Sequence, residues 1–341
     1  MLNTALAPSP LSPPLAFAPL ADARGRVKRK LRLSLTDRCN LRCTYCMPEQ
    51  PRWLPRKELL TRSEIVTLAR TFVRELGITE LRLTGGEPLL RPDLLDIVRE
   101  LDALRSEGLH RIALTTNGAL LPRLALPLRA AGLDDLNVSL DAAEPDSFRA
   151  LTRGELAPVL AGIDAARSAG LPLKLNCVVV RGRNESQVLP LARWACERNL
   201  PLRYIEFMPL DGRGDWSRER VVDEAEIRER LAPLGFAERQ PAGSDPATYY
   251  RLADGWRYGV IPTISRPFCK SCDRLRVDAR GELYTCLFSA RGHALRPLLQ
   301  ADDDGHALAA AVRHHVWRKD AGYAQQPGYV ERPITMHHLG G

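Results

Sequence analysis

From residue 31 to residue 207 the chain alternates six short apolar strands with the helices between them, in β/α repeats of similar length. Strands are predicted at 31–36 (LRLSLT), 81–84, 111–115, 136–140, 173–180 and 202–207. Helices are predicted between them at 63–76, 92–107, 121–131, 159–168 and 185–199. Ser63 is the expected cap of the first, and Gly77, Gly132 and Gly170 stand at helix ends. Strands that always alternate with helices build a parallel sheet with the helices outside. The predicted class is therefore α/β, a partial (β/α)6 barrel of TIM type with its functional groups at the C-terminal strand ends. The rhythm stops near 210–220, where a loop at 212–216, a polar helix at 223–231 and strand-and-turn sequence follow. The expected division is a disordered tail over 1–25, the barrel over 26–215 and a smaller C-terminal domain over 216–341.

The 341 residues are 45% hydrophobic, enough for one large domain and a smaller one. The net charge of +8 is uneven, because Arg24, Arg26, Lys28, Arg29 and Lys30 crowd together. A basic balance suits an anionic partner. Aromatics make up only 6%, which argues against a nucleic-acid surface. No apolar run reaches the roughly 18–20 residues that span a bilayer. In the first 23 residues no basic residue precedes the apolar part, and prolines such as Pro8, Pro10 and Pro13 break it, unlike a signal peptide. A cytoplasmic protein with neither nucleic acid nor membrane as partner is expected.

Six of the eight cysteines fall into two clusters. Cys39, Cys43 and Cys46 form C-x3-C-x2-C just after the first strand. Three thiolates on one loop can hold three irons of a 4Fe–4S cluster and leave the fourth iron open. The alternative, structural zinc, normally takes four ligands, and the nearest histidine in sequence is His110. Cys269, Cys272 and Cys286 form C-x2-C-x13-C. Here spacing alone leaves zinc, completed by His293, and iron–sulfur both open. Arg274 and Arg276, at i and i+2, share one face of a strand and make a fork for oxygen anions. Arg32, Lys174 and Arg203 sit on three predicted parallel strands and can point into one lumen, where a polyanion needs cations. Cys177 and Cys196 stand in apolar segments and read as packing residues.

The first cluster, with Leu83-Thr84-Gly85-Gly86-Glu87-Pro88 at the end of the second strand, resembles the radical S-adenosylmethionine superfamily over about residues 31–210. From about Gly25 to the end the chain is similar to the GTP 3′,8-cyclase family of molybdenum cofactor biosynthesis. The matching pieces are LRLSLTDRCNLRCTYCMP, RLTGGEPLLRPD, TTNG, NVSLD, RYIEFMPL, FCKSCDRLRV, YTCLF and the terminal Gly340-Gly341. The resemblance implies two 4Fe–4S clusters, one on Cys39, Cys43 and Cys46, the other on Cys269, Cys272 and Cys286 with its open iron on the guanine. It implies S-adenosylmethionine contacts at Tyr45, Gly86, Ser139 and Met208. It implies GTP contacts at Arg32, Arg82, Thr115, Lys174, Arg203, Arg274, Leu275 and Arg276, with Arg274 and Arg276 as catalytic residues. The implied chemistry abstracts the ribose 3′ hydrogen, joins the C3′ radical to guanine C8, and then reduces and protonates the adduct, giving 3′,8-cyclo-7,8-dihydroguanosine triphosphate.

Implied partners are a one-electron donor and cyclic pyranopterin monophosphate synthase, which takes the product. A homodimer is one option for assembly. Two other readings stand beside this one: another two-cluster radical maturase, and a non-enzymatic zinc-binding regulator. The chain departs from the family at Glu80, where relatives often have lysine near the triphosphate, so either Glu80 points away or another cation replaces that contact. It departs again at His337-His338, which are expected to be harmless tail residues.

Overall fold

The computed structural model describes residues 19–210, 214–240, 245–299, 304–323 and 335–340. The six predicted strands become β1 (Lys30–Ser34), β2 (Glu80–Thr84), β3 (Arg111–Thr116), β4 (Asp135–Ser139), β5 (Leu173–Val179) and β6 (Leu202–Glu206). They pair in sequence order, each parallel to the next. The connecting helices are α1 (Arg62–Arg74), α2 (Leu94–Asp102), α3 (Leu121–Ala130), α4 (Pro145–Thr152), α5 (Leu156–Ser168) and α6 (Val188–Glu197). The cap of α1 is Thr61, not Ser63. Thr61 and Glu64 exchange side-chain and backbone hydrogen bonds, and this reciprocal box satisfies two end donors at once. Between β4 and β5 two helices replace the one expected; Pro145 opens the first, and Arg153 ends it in a left-handed conformation.

Strand alternation sorts the side chains into two faces. Leu31, Leu33, Leu81, Leu83, Ile112, Leu114, Leu136 and Val138 are buried against the helix layer with Ile65, Leu68, Phe72 and Ile97. Each buried leucine contributes about 2 kcal/mol. The opposite face carries polar side chains in register: Arg32 beside Arg82, Thr115 beside Asn137, Asn137 beside Lys174, and Asn176 beside Arg203.

The C-terminal part does not make a sheet of its own. β7 (Ala237–Arg239), β8 (Thr248–Leu252) and β9 (Arg257–Ile261) follow α7 (Glu224–Leu231), and β9 pairs parallel with β6. β10 (Arg274–Val277), β11 (Glu282–Tyr284) and β12 (His293–Ala294) extend the other edge, where β10 pairs parallel with β1. One twelve-stranded sheet results, with β12 and β7 at its two ends, so the barrel stays open. Helices α8 (Arg296–Leu299), α9 (His306–Trp317) and α10 (Met336–Leu339) complete the described chain.

The expected tail over 1–25 does not hold for its last residues: Leu20 and Asp22 are each 1% exposed. Residues 1–18 lie outside the described residues. Among the described residues no helix is long and apolar enough to cross a membrane.

Cys177 on β5 is buried, and burial pushes its thiol well up. Cys196 on α6 packs beside Asp254. Neither lines the cavity that Cys39, Cys43 and Cys46 face. The Cys177→Ala, Cys196→Ala double variant is therefore expected to keep its full iron content; loss of iron from the folded variant would make one of them a ligand.

Candidate active site

The loop after β1 carries Cys39, Cys43 and Cys46, and the turn after β2 grips it. Gly86 N–H donates to Thr36 O at 2.7 Å and Glu87 N–H to Arg38 O at 2.7 Å. A Cβ on Gly85 would lie 2.5 Å from Thr36 O, and one on Gly86 would lie 2.3 Å from Arg38 O. The pair of glycines is thus required by the close passage of two backbones. Glu87 is buried, and accepts from the Thr116 hydroxyl and from Asn117 and Leu89 N–H; burial raises its carboxyl to about 7. Tyr45 donates its hydroxyl to Asp141 just after β4 at 2.6 Å, and Val178 N–H donates to the same carboxyl.

The three thiols are unbridged and face the cavity. Burial pushes Cys39 up to about 11 and Cys43 and Cys46 upward too, and for Cys39 it outweighs the hydrogen bonds from Leu41 N–H and Asn117 that favour the thiolate. A bound cationic centre would tip the balance to the thiolates. Among the described residues no three His, Cys, Asp or Glu side chains converge as ligands of a single ion. Thiolates that each hold a different iron corner have no need to converge.

A cavity of about 380 Å³ runs along the polar face of the sheet. Tyr45, Gly86, Ser139 and Met208 line it near the first cysteine loop. Arg32, Arg82, Thr115, Lys174 and Arg203 line it along the strands, and Arg274 and Arg276 at its far side. Arg82 Nη1, Thr115 Oγ1 and Asn137 Oδ1 are buried there without a hydrogen-bond partner. Burial, and then the neighbouring guanidiniums of Arg276, Arg274, Arg82 and Arg203, hold Arg32 well below its ordinary value. Arg203 leans on Asn176 Oδ1 at 2.8 Å and faces Asp245 at 3.5 Å.

Lys30 and Arg111 also line the cavity, and the sequence reading missed both. The signal was present, since Lys30 is two residues before Arg32 on β1 and Arg111 is four before Thr115 on β3. Asp245, also missed, had no local signal because it sits in an irregular loop ahead of β8. Glu80 does not point away. It lines the cavity between these cations, 3.8 Å from Lys30 and 3.2 Å from Arg111.

The second cysteine group sits behind the far wall. The antiparallel β10–β11 pair, with Arg276 opposite Tyr284, brings Cys272 and Cys286 to one end. Cys269 and Cys272 share one turn of helix. Phe268, Asp273 and Leu287, neighbours of these cysteines, line the cavity. Burial opposes ionisation of Cys272, yet Lys319, Arg274 and Lys28 together bring its thiol down to about 7. Arg276 Nη1 donates to Gly340 O at 2.6 Å. Leu275, between two lumen-facing arginines on a strand, faces its side chain the other way, into the core, so that only its backbone is turned to the lumen side.

His337 departs from the expectation of a harmless tail residue. It is 2% exposed, its Nδ1 meets the Thr335 hydroxyl at 2.8 Å, and its ring stands edge-on to Trp53. It lines the cavity and is no free tail residue.

Residues 33–195 match the model of the radical SAM superfamily, and residues 200–325 match Molybdenum Cofactor Synthesis C. The GTP 3′,8-cyclase of Streptomyces coelicolor is 46% identical over 94% of this chain and 96% of its own. The chain belongs to the GTP 3′,8-cyclase family. The Xanthomonas campestris member of this family is 43% identical over 96% of this chain and 99% of its own. Among solved structures, Streptococcus suis SuiB bound to S-adenosylmethionine superimposes with a TM-score of 0.58 at 12% identity. The match covers 86% of this chain and 64% of that one, and it shows the fold alone. Membership of the cyclase family sets aside the zinc regulator and the other maturase.

Proposed function

We propose that this chain converts GTP to (8S)-3′,8-cyclo-7,8-dihydroguanosine 5′-triphosphate, a lyase step that opens molybdenum cofactor biosynthesis, using two 4Fe–4S clusters. The observation that carries the reading is a single cavity lined by Cys39, Cys43 and Cys46, by Phe268, Asp273 and Leu287 beside the second cysteine group, and by Arg32, Arg82, Lys174 and Arg203 on the strands, with Arg82 Nη1 buried and unpartnered. Cys39, Cys43 and Cys46 would hold the cluster that binds S-adenosylmethionine, and Cys269, Cys272 and Cys286 the second. When bound and reduced, the first cluster and S-adenosylmethionine supply a 5′-deoxyadenosyl radical. The protein's own part is to bind, orient and keep water out. Tyr45, Gly86, Ser139 and Met208 hold the cofactor at one end. Arg82 Nη1 and Thr115 Oγ1 are donors awaiting an acceptor, and Arg32, Lys174 and Arg203 balance the charge of the triphosphate. Arg274 and Arg276 fix the guanosine against the second thiol triad.

A one-electron donor, a receiving cyclic pyranopterin monophosphate synthase and a cytoplasmic location complete the proposal. The test is an anaerobic reaction with GTP, S-adenosylmethionine and dithionite. The protein should be brown with about eight irons, and should form the cyclised nucleotide and 5′-deoxyadenosine. A colourless protein, or 5′-deoxyadenosine without cyclised nucleotide, would refute it.

A further inference from the structure

The basic run near the N-terminus remains unexplained by the GTP site, because two of its members point elsewhere. Residues 20–28 form a tight turn about Asp22. Arg24 and Arg26 N–H donate to Asp22 Oδ1, and Lys28 N–H donates to Leu20 O. Asp22 Oδ2 accepts from Arg26 at 2.6 Å and from Lys28 at 2.8 Å. Arg26 Nη1 then donates to Cys269 O at 2.8 Å and also to Ala321 O. Lys28 Nζ donates to Cys272 O at 2.7 Å. From the other side Lys319 Nζ reaches Cys272 Sγ at 3.7 Å and donates to Thr285 O, beside Cys286. All are buried: Lys28 is 0%, Lys319 4% and Arg26 8% exposed.

Arg26 and Lys28 thus share the one carboxylate of Asp22. Among the described residues no carboxylate lies within salt-bridge reach of Lys319. A surplus of buried positive charge is strongly unfavourable unless an anion faces it. A cubane on three thiolates is such an anion, and it gains one further negative charge on reduction. Cluster potentials respond to nearby charge and to hydrogen bonds at sulfur. We propose that Arg26, Lys28 and Lys319 are positioning residues, a buried cationic collar that retains the cluster on Cys269, Cys272 and Cys286 and raises its reduction potential. The collar rests on the two-cluster reading given above.

The test is a mediated redox titration of the reconstituted full chain, followed by electron paramagnetic resonance, with one electron taken up per cluster from the external reductant. The same titration on the Cys39→Ala, Cys43→Ala, Cys46→Ala variant isolates the second signal. Lys319→Met is expected to lower its midpoint by about 59 mV or more, a tenfold shift in the reduced-to-oxidised ratio, or to lose that cluster's iron alone. Lys319→Arg should restore the wild-type value. Lys28→Met, whose contact is with a carbonyl, should shift it the same way by less, and serves if Lys319→Met does not fold. Unchanged midpoint and iron content in both methionine variants would overturn the collar. Wild-type protein with only one cluster would overturn the two-cluster reading beneath it, a distinct result.

Discussion

Replacing Cys39 with alanine is expected to reduce 5′-deoxyadenosine formation to background, while Cys269→Ala leaves substrate-free cleavage within about twofold of wild type, as distant independent sites do. Cys39 is on the loop that Gly85 and Gly86 hold against the end of β2, and Asn117 Nδ2 lies 3.8 Å from its sulfur. Removing it leaves two thiols for a cluster that needs three. Cys269 belongs to the separate cysteine group behind the cavity wall, under Gly322, where a Cβ would lie 2.5 Å from its sulfur. Iron analysis and chromatography of 5′-deoxyadenosine, with and without GTP, separate the cases. Each variant should lose about half its iron. If the Cys269 variant keeps its first cluster and still fails to cleave the cofactor without GTP, the two sites do not divide the labour.

The strands, the lumen face and both thiol clusters were legible because each rests on local pattern. Leucines at 31, 33, 81 and 83 fix which face of β1 and β2 is core, and Arg32 and Arg82 are then forced to the other face. What the sequence hid depends on pairs far apart in the chain. That β10 lies beside β1, and so brings Arg276 next to Arg32, is a fact of sheet order which no periodicity records. The burial of His337 depends on Trp53 and Thr335 meeting in space. Arg26 and Lys28 read only as members of a basic run, since their partners Cys269 and Cys272 are more than two hundred residues away. The two readings of Glu80 stayed open for a similar reason: its neighbours Lys30 and Arg111 come from the two flanking strands.

Arg276→Ala is expected to keep S-adenosylmethionine cleavage without GTP and to lower cyclised product by about ten- to a hundredfold. One charge-assisted hydrogen bond lost is worth roughly 1.5–3 kcal/mol. Arg276 lies in register with Arg32 on the lumen face, and burial, then Arg274, lower its guanidinium to about 10. It holds Gly340 O, so the charge and the tail anchor are lost together. Two further variants separate them. Arg276→Lys keeps charge but not the planar fork, and should recover only part of the activity. Gly340→Ala keeps Arg276, but its Cβ would fall 1.7 Å from Thr84 Oγ1 at a φ of +71°, so the tail must shift. If Arg276 acts on GTP, its alanine variant should raise KM for GTP, and Gly340→Ala should not reproduce that rise. Equal KM effects from both would assign Arg276 to holding the tail, and unchanged product formation in Arg276→Ala would remove it from the GTP site.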